Sequence, residues 1–448
     1  MGNRFGTDGI RGQVGSPPLT PEGIVQLGGA MASWLKGQPI VAPGDSGRHL
    51  VLVGGDTRSS TSWIMDLLAG ALSAHGVDVC PLYVATTPQL AFETAGSRAS
   101  AGIVVTASHN PSSDNGVKIF GHDGFKLSGE DQSAIEALMQ QDGDFQLPEA
   151  YGVVDDTLIQ RGYIEHLRKI GAGKLSGFKL VVDAAHGAAS FSARNVFEAT
   201  GAEVTFIGTD PDGININNGV GATHPDVLAA KVVETGAYAG VALDGDADRL
   251  IMVDEAGKVV DGDQLLALLA TSMQAEGRLK GGGVVTTVMS NLGLERHLSA
   301  LGLSMPRTKV GDKHVVAALR EDGFNLGGEQ SGHIVMLDAG TTGDGLLAAL
   351  HVLSAAAKDG RAFSEISWVF EPVPQKLVNV RYTSADPLES LSVQKKLAEV
   401  TERLGADGRV LVRKSGTEPL IRIMVEASDP AVLETALADL QNAVEHAA

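Results

Sequence analysis

Immediately after the apolar run GVAL, the chain reads DGDADR, with Asp244, Asp246 and Asp248 at alternate positions. In extended backbone this spacing projects all three carboxylates to one side, and three crowded anions require a cation. Hard oxygen donors with no Cys or His nearby favour Mg²⁺ over zinc, and Mg²⁺ keeps places for water or a substrate phosphate. An EF-hand would put Glu255 at its twelfth position, but its sixth, which needs glycine, is Arg249, and a strand rather than a helix leads in. A solvated acidic turn is the alternative without chemistry.

Three further stretches carry polar groups at strand ends. TASHNPSSDNGVKIF follows the run GIVV and offers Ser108 ahead of Pro111, with Asn110 placed to cap a helix beginning there. A helix amino end would favour a phosphate on or beside Ser108; Lys118 lies ten residues on, in the strand-like VKIF. An ordinary capped turn with a surface lysine remains the other reading. GGEQSGH supplies Glu329, Ser331 and His333 among glycines, donors and acceptors suited to sugar hydroxyls. RKSGTEPLIR sets Arg413 and Arg422 on either side of Ser415, Gly416 and Thr417, a turn able to wrap a phosphate that arginine forks complete. From Arg409 to Arg422 there are four basic residues and one acidic, in a chain of net charge −19. A solvated strand face is the alternative. The twelve histidines show no HxH or HExxH spacing, so zinc is not indicated.

The elements that must position these loops recur. A short Val/Leu/Ile run, a Gly-rich break, a helical stretch and a second apolar run appear three times: HLVLVGGDTRSS with AGIVVTASHNP, KLVVDAAHGAAS with AGVALDGDADR, and GGVVTTVMSNLG with GFNLGGEQSGH. Continuous apolar strands alternating with helices predict parallel sheets covered on both faces, with ligand groups beyond the strands' carboxyl ends. After about residue 369 the pattern changes to LVNVRYTS, a helical LSVQKKLAEVTERLG, RVLVRKSG, IRIMVEAS and a helix from about Pro430, a small α+β domain. The 448 residues accommodate four domains, expected at 1–150, 151–253, 254–368 and 369–448.

Composition narrows the partners. The acidic balance argues against nucleic acid or an anionic membrane. A single cysteine, Cys80, excludes an internal disulfide framework and points to a reducing compartment. With no apolar run of about 18 residues and no signal-like start, a cytoplasmic protein without membrane contact is expected.

Taken together and in this order, RFGTDGIRG, TASHNP, DGDADR, GEQSGH and RKSGTEP resemble the α-D-phosphohexomutase superfamily, and within it the bacterial enzymes of glucosamine phosphates. The resemblance runs from Arg4 to the final helix. It implies an α/β fold of four domains around a central cleft, the first three sharing a mixed sheet with helices on both faces, the fourth a small α+β domain. It also implies that Ser108 is a phosphoserine, with Mg²⁺ held by Asp244, Asp246, Asp248 and a phosphate oxygen on Ser108, and Arg249 supporting the metal loop. Lys118, with His109 and Arg11 as neighbours, would supply acid/base or charge assistance. Glu329, Ser331 and His333 would hold the sugar, and Arg413, Ser415, Gly416, Thr417 and Arg422 the non-reacting phosphate. The implied reaction interconverts glucosamine 6-phosphate and glucosamine 1-phosphate through glucosamine 1,6-bisphosphate; a homodimer is compatible with it. Ala247 departs from the glycine of many relatives. A glucose or mannose phosphate mutase, a phosphatase using the same serine, and a non-catalytic phosphosugar sensor stay open.

Overall fold

Runs such as LVLVGG and AGVAL carry no polar side chain, so both of their faces must be covered, which makes them interior strands of a sheet sandwiched by helices. The computed structural model describes residues 5–6, 8–41, 46–140, 150–382, 386–414 and 419–447. In its first unit β1 (Ile10–Gln13), β2 (Leu50–Gly55), β3 (Asp78–Val84), β4 (Ala101–Val105) and β5 (Asp114–Gly121) form a sheet in the order β1-β5-β4-β2-β3. Strand β2 is parallel to β3 and β4, whereas β5 returns antiparallel to β4. Every residue of β2 and β4 is buried.

The same plan repeats. In the second unit β6 (Lys179–Asp183), β7 (Glu203–Ile207), β8 (Ala239–Leu243), β9 (Leu250–Asp254) and β10 (Val259–Val260) are ordered β10-β9-β8-β6-β7. Again the first strand is parallel to the second and third, and the fourth is antiparallel to the third. In the third unit β11 (Thr286–Thr287) is parallel to β12 (Arg307–Thr308), and β13 (Leu326–Gly328) is antiparallel to β14 (Ile334–Met336). A parallel bridge between Val285 and Gly327 joins the two pairs into one row. The sheets are mixed, as the family resemblance implies, and not parallel throughout as the apolar runs alone suggest: β4, β8 and β13 are each followed by a hairpin, and TASHNP, DGDADR and GEQSGH are the three hairpin loops.

The second and third units are closely joined. Strand β9 and its partner β10 carry the second sheet past residue 253. One apolar core also runs through the second and third units, from Leu180, Val241 and Leu250 to Leu265, Leu326 and Leu346. The helix Gly345–Asp359, which buries Leu346, Leu347, Leu350 and Leu353, belongs to both.

The fourth unit is an antiparallel sheet of β15 (Gln375–Arg381), β16 (Gly408–Lys414) and β17 (Leu420–Ala427) in the order β15-β17-β16. Ile421, Ile423 and Val425 alternate along β17 and meet Val393 and Val400 of the helix Leu391–Leu404 and Leu437 and Leu440 of the helix Pro430–Glu445. Arg409 docks this unit on the third, pairing with Glu426 at 2.7 Å and donating to the carbonyls of Val288 (2.7 Å) and Ser290 (2.8 Å). Among the described residues no helix is long and apolar enough to cross a membrane.

Candidate active site

Strand β4 ends at Val105, and the polar side chains beyond it replace its ladder. Thr106 Oγ1 donates to Asp56 (2.6 Å) and accepts from the Ser108 amide (2.9 Å). Ser108 itself has φ 52°, the left-handed region that non-glycine residues avoid. Its hydroxyl donates to Asp244 Oδ2 at 2.6 Å and lies 3.3 Å from His109 Nδ1. No helix starts at Pro111: the chain turns and enters β5 at Asp114. Asn110 closes this turn through Asp114 (2.9 Å) and accepts from Arg11 (3.4 Å) instead of capping a helix. The hairpin demanded by the fourth, antiparallel strand leaves no room for a helix there, so positive charge near Ser108 comes from side chains.

Arg58, whose role sequence reasoning missed, grips that loop. Wholly buried beside Asp56 (2.8 Å), it donates to the carbonyls of Ser108 (2.9 Å), Asn110 (2.9 Å), Pro111 and Asp114 (3.0 Å). The available signal was DTR at the carboxyl end of β2, in the same tier as the three motif loops. Asn217 of the second unit donates to two of these carbonyls, Ser108 (2.9 Å) and Asn110 (3.3 Å).

The three aspartates do converge, but through a turn and not by extended alternation: residues 244–248 fold back on themselves, with Ala247 at φ 58°. That left-handed position explains why glycine suits it and alanine is tolerated at a cost of roughly 1 kcal/mol. Ligand atoms of Asp244, Asp246 and Asp248 lie within 4.8 Å of one another, all three residues are buried, and Asp246 Oδ1 and Asp248 Oδ1 have no hydrogen-bond partner. Burial, reinforced by Asp248 and Asp246, pushes the Asp244 carboxyl up to about 8. A buried carboxylate triad with unused oxygens fits a hard divalent cation.

Lys118 of β5 reaches this triad, 2.8 Å from Asp246, 2.9 Å from Asp248 and 3.4 Å from Asp8. Burial opposes its charge, but those carboxylates outweigh it and raise its pKa well above the ordinary lysine value. Its charge offsets that of the carboxylates around it. His109, by contrast, is lowered to about 4 by burial and then by Arg249 and Arg11, which leaves a neutral imidazole beside Ser108. Arg11 pairs with Asp8 at 3.0 Å, and Asp8 also meets Lys126, which pairs with Asp312 at 2.5 Å. Thr87 donates to Asp246 at 2.5 Å. Thr87, Lys126 and Asp312 carried no pattern of their own, because their partners lie on distant stretches of chain, and Asp8, although inside RFGTDGIRG, was given no role.

The third hairpin abuts the second, since Arg249 bridges His333 through the backbone. The Arg249 amide donates to Asp244 (3.2 Å), and its guanidinium is held charged against burial by Asp244, Asp248 and Glu329. Glu329 accepts the Gly311 amide (3.0 Å), with the Ser331 hydroxyl 3.5 Å from its other oxygen. His333 is 4% exposed, its Nδ1 toward Asp248 (3.6 Å) and its Nε2 taking the Gly343 amide (3.1 Å). The histidine expected to touch sugar is thus buried, with Nε2 taken by the protein backbone and Nδ1 turned toward Asp248.

Arg413 and Arg422 stand directly opposite one another across β16 and β17. Arg422 Nε is buried without a partner, and burial together with Arg422 lowers the pKa of Arg413. Two adjacent guanidinium groups in that state favour an anion. Ser415, Gly416 and Thr417 lie outside the described residues. Of the other cations counted here, Arg409 is consumed by domain docking and Lys414 by Asp386 at 2.5 Å.

Four family models tile the chain: Phosphoglucomutase/phosphomannomutase alpha/beta/alpha domains I, II and III over residues 2–145, 161–257 and 261–372, and the C-terminal domain over 377–443. This chain belongs to the phosphoglucomutase/phosphomannomutase family. It is 48% identical over 448 residues to a phosphoglucosamine mutase of Paracoccus denitrificans (strain Pd 1222), covering 99% of each, and 46% identical over 447 residues to one of Rhizobium meliloti (strain 1021), covering 98% and 97%. A phosphoglucomutase/phosphomannomutase family protein from Burkholderia thailandensis superposes with TM-score 0.82 at 28% identity, covering 99% of this chain and 97% of that one. As a phosphohexomutase the chain is an isomerase, an intramolecular phosphotransferase acting on a phosphosugar, and its family implies a metal ion, for which the aspartate triad is the candidate site.

Arg58→Lys keeps a charge beside Asp56 but loses the fork that spans the Ser108 loop, stranding buried carbonyls at about 1–3 kcal/mol each. Both melting temperature and turnover should fall, the latter by about tenfold or more. Unchanged turnover in a stably folded variant would remove Arg58 from any role at the site.

Proposed function

We propose that this phosphohexomutase interconverts glucosamine 6-phosphate and glucosamine 1-phosphate, with Ser108 as the phosphoryl carrier, supplying amino-sugar nucleotide precursors. The observation that carries the serine's role is its hydroxyl, fixed in strained backbone 2.6 Å from a buried aspartate triad. The glucosamine preference is supported by the names of relatives 45–48% identical over nearly the whole chain. Phosphoserine transfers its phosphoryl group to O1 of the 6-phosphate, giving the 1,6-bisphosphate. That intermediate turns around and returns the O6 phosphoryl group to Ser108.

Mg²⁺ held by Asp244, Asp246 and Asp248 would neutralise charge on the phosphoryl group, which is most of what such transfers ask of a protein. Lys118 and Arg249 add fixed positive charge around the same oxygens. Half-buried Glu329 and exposed Ser331 of the third hairpin orient sugar hydroxyls. Arg413 and Arg422, together with Ser415, Gly416 and Thr417, hold the phosphate at the far end of the sugar.

Assaying glucosamine, glucose and mannose 6-phosphates side by side should give the highest kcat/KM for glucosamine 6-phosphate, with Ser108→Ala inactive and lacking the phosphate that intact mass finds on the wild type. An equal or better value for mannose 6-phosphate would make the protein a phosphomannomutase. Full activity in Ser108→Ala would end the phosphoserine mechanism, and release of free phosphate in place of the 1-phosphate would make it a phosphatase.

Metal dependence has its own check. Asp246→Asn should lower turnover and weaken the response to added Mg²⁺, since one anionic ligand is lost. A wild type left fully active by EDTA would contradict the metal assignment.

Because one cage serves both phosphates in turn, Arg422→Ala should lower kcat/KM about ten- to a hundredfold in both directions, the loss of roughly 1.5–3 kcal/mol from a charged hydrogen bond. A defect confined to one direction would show that the two phosphates use separate pockets.

A further inference from the structure

Among the described residues six non-glycine positions have left-handed backbone, and five of them, Ser108, Ala185, His186, Asn217 and Ala247, lie in or against the two loops that meet at Ser108. Strain gathered in one place persists only where surrounding contacts over-determine it. For the Ser108 loop those contacts are two side chains that address the same atoms. Arg58 Nη2 donates to the carbonyls of Ser108 and Asn110, each at 2.9 Å, and Asn217 Nδ2 donates to the same two at 2.9 and 3.3 Å. Arg58 belongs to the unit that carries Ser108. Asn217 does not: it sits in the turn between β7 and the helix Asp226–Thr235 of the second unit, 6% exposed, with its own amide tied to Ala185 (2.9 Å).

The metal loop leaves room for this contact. A Cβ at Gly245 would stand 2.5 Å from the Ser108 carbonyl oxygen and 2.9 Å from Asn217 Nδ2, so only glycine lets amide, carbonyl and aspartate loop close together. Arg58 can grip the loop wherever the second unit lies, whereas Asn217 grips it only when the aspartates are also in place.

We propose that Asn217 is a positioning residue for phosphoryl transfer: its side-chain amide, reaching across from the second unit, holds the Ser108 loop in the backbone conformation from which the serine oxygen faces Asp244. The proposal rests on Ser108 being the phosphoryl carrier. It separates the amide from the other thing asparagine does well, which is to tolerate left-handed backbone.

Two substitutions divide those roles. Asn217→Gly adopts the left-handed conformation freely but has no amide, and Asn217→Ala lacks the amide and resists the conformation. Both should lower kcat about ten- to a hundredfold with KM changed by less than about threefold, the signature of misplacement and not of lost substrate contact. Both should also slow phosphorylation of Ser108 by glucosamine 1,6-bisphosphate, followed by intact mass. If Asn217→Gly fails to fold, Asn217→Asp, of the same shape but with no N–H to donate, takes its place. Wild-type kcat in Asn217→Gly or Asn217→Asp would overturn the proposal and leave asparagine a backbone role only. A wild-type enzyme that never acquires phosphate on Ser108 would instead overturn the reading on which it rests.

Discussion

Three carboxylates buried together, two of them paired with one ammonium, set the terms for the rest of this molecule. Two unit charges about 4 Å apart interact by roughly 4 kcal/mol at an effective dielectric constant of 20, so Asp244, Asp246 and Asp248 could not be packed together without compensation. Lys118 supplies part of it, its side chain 1% exposed against 0% for Asp246 and 5% for Asp248. The compensation crosses a domain boundary, since Lys118 lies on β5 of the first unit and the aspartates follow β8 of the second. Lys126 extends the same logic to Asp312 of the third unit, with Asp8 shared between both lysines. Separating the units would strand buried charge on each side. The catalytic arrangement and the docking of the domains are thus one electrostatic problem.

The repeated sheet plan solves it geometrically. In each of the first three units a strand parallel to its neighbour delivers a hairpin loop at its carboxyl end, and the loops carry different chemistry: a serine in the first, aspartates in the second, a glutamate and serine in the third. Equivalent positions in three copies of one topology bring unlike chemistry to one place. Open α/β sheets gather ligand groups at that edge, and here the fourth, antiparallel strand tightens each loop into a turn that forces left-handed backbone at Ser108 and Ala247.

Much of this was legible in the chain. Apolar runs located the strands β2, β4, β6, β8, β11 and β13, and the change of pattern near residue 369 marked the last unit. The aspartate spacing and the Ser108 motif drew attention to loops the fold then brings together. The helix expected at Pro111 failed because local capping signals say nothing about whether the next strand returns at once. Arg58 and Asn217 were silent because their partners are backbone carbonyls, which every sequence has everywhere. Charge counting from Arg409 to Arg422 also overreached. Arg409 and Lys414 are spent on Glu426 and Asp386, and a sequence cannot tell a paired cation from a free one.

The two ends of the proposed substrate meet protein of different character. The machinery for the reacting phosphate is buried, hydrogen-bonded and drawn from units whose charges lock together, so its dipoles need little rearrangement when charge develops. The arginine pair for the other phosphate rides on a small sheet with its own apolar core, joined to the third unit by polar contacts centred on Arg409. In the proposed mechanism, a bisphosphate that turns around makes opposite demands on these two sites. The first has to be exact, because in-line transfer tolerates little displacement. The second has to accept either phosphate, which guanidinium groups do by recognising oxygens and ignoring the sugar behind them. Placing the tolerant site on a separately packed unit keeps any adjustment it makes away from the charge balance at Lys118, on which the exact site depends.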